Sequence, residues 1–377
     1  MAGESAQRIV VGLSGGVDSA VAALLLVQQG YEVHGLYMHN WDADDAYCTS
    51  ARDFQDARSV ARELGIPLHS VNFAREYRDQ VFEHFLSEHR AGRTPNPDVL
   101  CNREIKFGIC LAYARRLGGT RFATGHYARI VRGMSGWQLH KGLDDAKDQS
   151  YFLHAVEREA FGSLLFPIGE LDKADVRTRA RAAGLPVHAK PDSTGICFIG
   201  ERPFREFLAQ HLPESPGPIE TPGGRHIGTH RGLAYYTLGQ RGGLEIGGRK
   251  DTAEAPWYVA RKVATRNALV VVQGQEHELL FSRGCKTEAM HWLADPAPCA
   301  LTCGVKLRYR QADQHATVHP LPGGVLRIEF ERAQRAVTPG QFAVLYDNSR
   351  CLGGAVIDTT EPVEALTRVR AAAPAAL

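Results

Sequence analysis

The sequence lacks an apolar run of the roughly 18 residues that a membrane-spanning helix needs. Its start, Met1-Ala2-Gly3-Glu4-Ser5, lacks the apolar core of a secretory signal, so the expectation is a cytoplasmic protein with no membrane partner. No sign of charge dominates: 44 Lys and Arg stand against 42 Asp and Glu, a net charge of +2. Any surface for a nucleic acid must therefore be local. The 8 cysteines include no Cys-x-x-Cys pair. Cys299 and Cys303 are four apart with no second pair, which argues against a zinc or iron–sulfur site; no metal ligand is expected and the cysteines should be thiols. The Gly-Lys-Ser/Thr ending of a Walker phosphate loop is also missing.

What is present begins at Val10-Val11-Gly12-Leu13-Ser14-Gly15-Gly16-Val17-Asp18-Ser19. A β-branched run enters a Ser-Gly-Gly turn, and a helical pattern with Val21, Leu24 and Leu25 inside follows, closed by Gly30. Glycines let the backbone approach an anion, and the N–H groups of a helix start favour a phosphate. An ordinary Gly-rich turn shares part of this pattern, but here strand, Gly pair, Asp and Ser fall in order.

With 377 residues the chain is long enough for two or three domains. Strands are expected at 32–38, 68–71 and 121–124, with helices at 50–64, 76–88, 103–117 and 171–183. That alternation predicts a parallel sheet covered on both faces, with ligands at the carboxyl ends of its strands. Met38 and Gly125 follow strand ends and could line an adenine and ribose pocket; core filling explains Met38 equally well. Asp42, Asp44 and Asp45 form an acidic loop that could attract Mg²⁺ or merely face water.

Asn96-Pro97-Asp98-Val99-Leu100-Cys101-Asn102 lies in a proline-stiffened loop. Asp98 reads as a possible helix cap, placing Cys101 near a helix start, where the dipole, Arg103 and Lys106 would favour a thiolate. A buried structural cysteine is the alternative. Gly195 and Gly200 bracket Cys197, which suits a mobile segment carrying a thiol, or a buried cysteine in a loop. From about residue 205 prolines and glycines give way to short alternating strands. Val305–Arg310 alternates, which would put Lys306, Arg308 and Arg310 on one face. Six or so strands after Cys285 suggest a small β-barrel.

Taken together, Ser14-Gly15-Gly16-Val17-Asp18-Ser19, Asn96–Asn102, Ala123-Thr124-Gly125-His126-Tyr127, Lys147-Asp148-Gln149-Ser150-Tyr151-Phe152 and Asp192–Gly200 resemble the bacterial tRNA-specific 2-thiouridylases, also called tRNA-uridine 2-sulfurtransferases. Thr237–Arg241, Arg308-Tyr309-Arg310 and Val337–Gln341 extend the likeness, which runs from about Ile9 to about Ile357.

The resemblance implies an α/β fold. A parallel-sheet adenine nucleotide alpha-hydrolase-like (PP-loop ATPase) domain would span 1–204. A small central α+β domain would span 205–276 and a C-terminal β-barrel 277–365, with a tail at 366–377. It implies ATP, with Mg²⁺, as cofactor, and as partners tRNA and a protein donating persulfide sulfur. The reaction would adenylate the C2 oxygen of the wobble uridine and replace it with sulfur. Gly12, Leu13, Ser14, Gly15, Gly16, Val17, Asp18, Ser19, Met38 and Gly125 would hold ATP. Asn96, Pro97 and Asp98 would meet the target base, Asp98 also serving as acid or base. Cys101 would be the nucleophile and Cys197 the persulfide carrier. Lys147, Asp148, Gln149, Arg308 and Tyr309 would contact tRNA, as would His126 and Gln341. On a regular strand Arg308 and Tyr309 would face opposite ways, so a strand end or bulge is expected there.

A different adenylating enzyme would leave both cysteines and the β-rich tail without a task. A non-catalytic RNA-binding protein would release no AMP.

Overall fold

The computed structural model describes residues 7–41, 50–192, 203–246 and 255–363. The first unit comprises β1 (Arg8–Gly12), α1 (Val17–Gln28), β2 (Glu32–His39), α2 (Ser50–Glu63) and β3 (Leu68–Asn72). It continues with α3 (Ala74–Tyr77), α4 (Glu83–Arg90), α5 (Pro97–Leu100), α6 (Leu111–Arg116), β4 (Arg121–Ala123), β5 (Ala128–Gly133) and β6 (Gly136–Lys141). It closes with α7 (Ser150–Leu153), β7 (Leu164–Leu165) and α8 (Lys173–Ala182). Five strands form one sheet in the order β3-β2-β1-β4-β7, and every pairing is parallel.

β1 is central because its residues are apolar on both faces. Val10 joins Leu36 and Phe122 in one core, while Ile9 and Val11 join α1, α2 and α8 in another. That alternation is the period of a strand covered twice. Gly12 pairs with Leu36 and Val11 with Ala123. The loop after β1 therefore leaves the sheet beside the carboxyl ends of β2 and β4.

Two expected helix starts are corrected. The helix expected from Arg103 begins at Pro97, capped by Asn96, whose side chain accepts from the Asp98 N–H at 3.2 Å. Proline at the first helical position needs no N–H partner. Asp98 is thus inside the helix, and Cys101 opens a wide π-helical stretch, Cys101–Cys110, leading into α6. The helix expected from Glu76 begins at Ala74 and also widens to a π turn over Arg78–Phe82.

The central unit holds α9 (Phe204–His211), β8 (Gly217–Glu220), β9 (His226–His230), β10 (Trp257–Val263) and β11 (Ala268–Gln273), its sheet ordered β10-β11-β8-β9. The last unit holds β12 (Phe281–Ala289), β13 (His291–Trp292), β14 (Leu301–Lys306), β15 (Gln314–Pro320), β16 (Val325–Arg335), β17 (Phe342–Asp347) and β18 (Arg350–Pro362). Six of these run β12-β16-β15-β14-β17-β18, and β18 pairs back onto β12, closing the barrel. Cys285, Val305, Val318 and Ile328 fill its interior. The β5–β6 hairpin of the first unit extends the same sheet through His140 and Arg350.

The expected strand Val305–Arg310 ends at Lys306. Lys306, Arg308 and Arg310 therefore do not share a face. Lys306 is buried and Arg308 and Arg310 are exposed. The strand end resolves the conflict between Arg308 and Tyr309.

Lys306 finds its partner in the first unit. Its Nζ lies 3.1 Å from Asp148 Oδ2, and their side chains are 9% and 1% exposed. The remaining Asp148 lone pairs accept from Gly142 N at 3.1 Å, Ser150 N at 3.0 Å and Ser150 Oγ at 3.0 Å. Removing one partner of such a pair strands a charge. Asp148→Ala should cost about 3–5 kcal/mol in chemical denaturation and Asp148→Asn less. An Asp148→Ala protein as stable as the parent would contradict this assignment.

Burial also keeps imidazoles neutral. It pushes both His154, whose Nδ1 donates to Tyr151 O at 2.7 Å, and His89, against Phe85, down to about 4. An unfolded histidine titrates near 6.5. The unfolded chain thus binds more protons below that pH, and stability present above pH 6.5 is lost as pH falls towards 4. Each should contribute a loss of about 2 kcal/mol by pH 5. Unfolding midpoints that match at pH 7 and pH 5 would refute this.

Candidate active site

The loop after β1 is pinned by its own hydroxyls. Ser19 Oγ donates to Gly16 O at 3.1 Å and accepts from Ser14 N at 3.2 Å. Gly15 has φ +75°, and a Cβ there would lie 2.3 Å from Asp53 O. Gly125 is as constrained: a Cβ would lie 2.6 Å from the Asp18 carbonyl carbon and from Ser19 N. The end of β4 therefore rests on the loop. α1 begins at Gly16 with no side-chain cap, so its first N–H groups and dipole face outward, the arrangement that receives an anion.

A charge network surrounds this cradle. Lys173 Nζ, at the start of α8, lies 2.7 and 2.8 Å from the two Asp18 oxygens and 2.8 Å from Asp192 Oδ1. The Tyr127 hydroxyl donates to Asp18 at 2.8 Å. Lys147 and Arg177 each reach Asp192 at 2.7 Å. Partial burial opposes ionisation of Asp192, but the hydrogen bonds from Lys147 and Lys173 hold its carboxyl well below the usual range. Lys190 donates to Gly15 O at 3.0 Å and to Asp53 and Asp56 at 2.7 and 2.5 Å. Despite desolvation, those carboxylates raise its pKa. Sequence reasoning assigned no task to Lys173, Lys190, Arg177 or Tyr127. Tyr127 lies within a quoted motif and Lys190 two residues before one; Lys173 and Arg177 carried no local signal.

On the other side of β4 stands the helix that begins at Pro97. Asp98 is half-buried; burial pushes its carboxyl up, with Lys106 opposing. Cys101 is 2% exposed, in the core with Val99 and Ile105. The expected cation Arg103 is turned to its neighbour Glu104, 2.6 Å away. Asn102 donates to Phe152 O at 3.2 Å, while its buried Oδ1 has no hydrogen-bond partner among the described residues. Met38 is half-buried and its sulfur touches Cys110. Cys197 and the acidic loop 42–45 lie outside the described residues. Among the described residues no cluster of three or more His, Cys, Asp or Glu could hold a metal.

The residues expected to face tRNA divide. Tyr309 lies tilted on Phe152, ring centroids 4.5 Å apart, and its hydroxyl donates to Lys147 O at 3.3 Å. A cleft of about 420 Å³ between the first unit and the barrel is lined by Lys147, Tyr309 and Arg310. Arg308 is exposed and donates to Ala336 O at 2.9 Å. Gln149 accepts from Tyr127 N at 3.0 Å. Asp148 helps to line the same cleft, with its side chain buried and its oxygens bonded to Lys306, Gly142 and Ser150. His126 is buried between Phe107 and Phe166, bonded to Thr124 at 2.7 Å. Burial keeps it neutral. Gln341 donates to Thr94 O at 2.7 Å.

Comparison with known proteins bears on this arrangement. Residues 7–201 match the family model described as tRNA methyl transferase HUP domain. Residues 205–273 match its PRC-barrel domain, and 282–357 the aminomethyltransferase beta-barrel domain. The tRNA-specific 2-thiouridylase MnmA of Marinobacter nauticus is 55% identical over 94% of this chain and 91% of its own. Its counterpart from Chromohalobacter salexigens is 55% identical over 94% of each chain. That of Methylococcus capsulatus is 54% identical over 94% of this chain and 96% of its own. With a HUP-type parallel sheet, a PRC-barrel unit and a closed β-barrel in that order, the chain belongs to the tRNA-specific 2-thiouridylase MnmA family.

Proposed function

We propose that this chain catalyses ATP-dependent 2-thiolation of the wobble uridine of tRNA, which would place it in the cytoplasm. The observation that carries the reading is the meeting of an uncapped helix start, a glycine cradle and the Lys173 ammonium at one end of the sheet, in a chain whose relatives are named for thiolating tRNA. Gly12 to Ser19 and Gly125 would hold the nucleotide, with Met38 at its rim. The uncapped N–H groups would bind its phosphates, Lys173 would offset the charge of departing pyrophosphate, and Asp18 would meet the accompanying magnesium.

A carbonyl oxygen leaves poorly until it is phosphorylated. The uridine O2 would attack the α-phosphorus, pyrophosphate would leave, and the adenylated C2 would accept sulfur. In one route the Cys101 thiolate attacks Cys197 of a Cys197 persulfide. Hydrosulfide departs, adds to C2 and expels AMP with the original oxygen. In the other the terminal persulfide sulfur adds to C2, AMP leaves, and Cys101 then attacks Cys197 to free the thiouridine. Both routes end in a Cys101–Cys197 disulfide that an external thiol reduces, and a persulfide donor protein recharges Cys197. Asp98, its carboxyl raised by burial, suits proton transfer at the base. The base itself must leave its stack to be reached, with Asn96 and Pro97 beside it. Lys147, Gln149, Arg308 and Tyr309 would meet the tRNA around the cleft.

Incubation with ATP, a persulfide donor and unmodified tRNA should yield AMP and 2-thiouridine together. Cys197→Ser should bind ATP normally and make no 2-thiouridine. Thiolation undiminished in that variant, or none in the parent, would overturn the proposal.

A further inference from the structure

The loop that delivers Asn96 is held from both other units of the chain. From the barrel comes the turn between β16 and β17. The Thr94 N–H donates to Pro339 O at 3.0 Å. Gln341 Nε2 donates to Thr94 O at 2.7 Å and reaches Pro95 O at 3.3 Å. Between them Gly340 has φ +90°, and a Cβ would lie 2.8 Å from Thr94 N and 2.9 Å from Arg93 Cβ. The turn is itself fastened to β18: Gly340 N donates to Ile357 O at 2.9 Å, and Ile357 N to Gln341 O at 2.7 Å. From the central unit, Thr237 Oγ1 lies 3.2 Å from Thr94 Oγ1. Arg93 adds a bridge from Glu88 of α4 to Glu288 of β12, the latter at 3.3 Å.

The clasp ends at Pro95, next to the cap Asn96. Pro95 is buried and its ring fixes φ, so a shift of Thr94 passes into the start of the helix with little slack. That helix carries Asp98 and Cys101. Gln341, meanwhile, has its amide donors spent on two loop carbonyls.

We propose that Gln341 and Gly340 are positioning residues: by clasping Thr94 and Pro95 they set the helix start that presents Asp98 and Cys101, and so tie the reaction to the placement of the barrel. This deepens the function proposed above and rests on it. A Gln341 that instead held tRNA directly would act on affinity.

The test uses the full-length protein with Gln341→Ala, Gln341→Glu and Gly340→Ala. Gln341→Glu turns a carboxylate on two carbonyls and should be the more damaging of the pair, whereas Gly340→Ala leaves the amide intact and crowds Thr94. With saturating tRNA the thiolation rate should fall roughly tenfold or more in each, while the dissociation constants for tRNA and ATP stay within about twofold of the parent. A weakened tRNA affinity with an unchanged saturated rate overturns the proposal. A second readout needs no turnover. Alkylation of Cys101 by a small thiol reagent, followed by mass spectrometry with buried Cys110 as internal reference, should quicken roughly fivefold or more once the loop is loosened. Unchanged labelling overturns the clasp. A parent enzyme that makes no 2-thiouridine defeats the proposed function instead, and the labelling still decides whether the clasp holds the loop.

Discussion

One ammonium joins the parts of the site. Lys173 stands between Asp18, in the first turn after the glycine loop, and Asp192, which precedes Cys197 by five residues in the sequence. At 2.7–2.8 Å and with its side chain 14% exposed, it is only partly screened by water. Its removal would leave two carboxylates facing one another with Tyr127 as Asp18's remaining neutral donor. An anion seated on the start of α1 would share with Asp192 the cations that now neutralise it. The glycine loop and Asp192 are thereby linked by charge.

The same economy recurs between units. Asp148 lies in the motif that resembles a tRNA contact, yet its carboxylate is buried against Lys306 of the barrel. Gln341 lies in another such motif and grips the loop before Asn96. Both sit where the first unit meets the barrel, and each spends its polar atoms inside the protein. The cleft beside them is lined by Lys147, Tyr309 and Arg310, Lys147 also reaching Asp192.

Much of the fold was legible because it depends on local pattern. The apolar, two-sided β1, the Gly pair and the amphipathic helices specify a parallel sheet, and regular short strands after Cys285 announce a barrel. Errors came where a tertiary partner, or a better local cap, overrides that pattern. Lys306 looked like part of a solvated face until Asp148, 158 residues away, took it into the interior. Asp98 looked like a cap, but Pro97 can open a helix and Asn96 caps it better. Lys173 escaped notice because its partner Asp18 is 155 residues distant, and no periodicity reports an ion pair between two helices that meet only in the fold.

The most direct measurement is AMP formation by Lys173→Met in the presence of ATP, a persulfide donor and unmodified tRNA. The side chain keeps its length and loses its charge. The account predicts AMP and 2-thiouridine both reduced roughly a hundredfold or more at a temperature where the variant is folded, with tRNA affinity close to the parent's. A variant that releases AMP at the parental rate would contradict it.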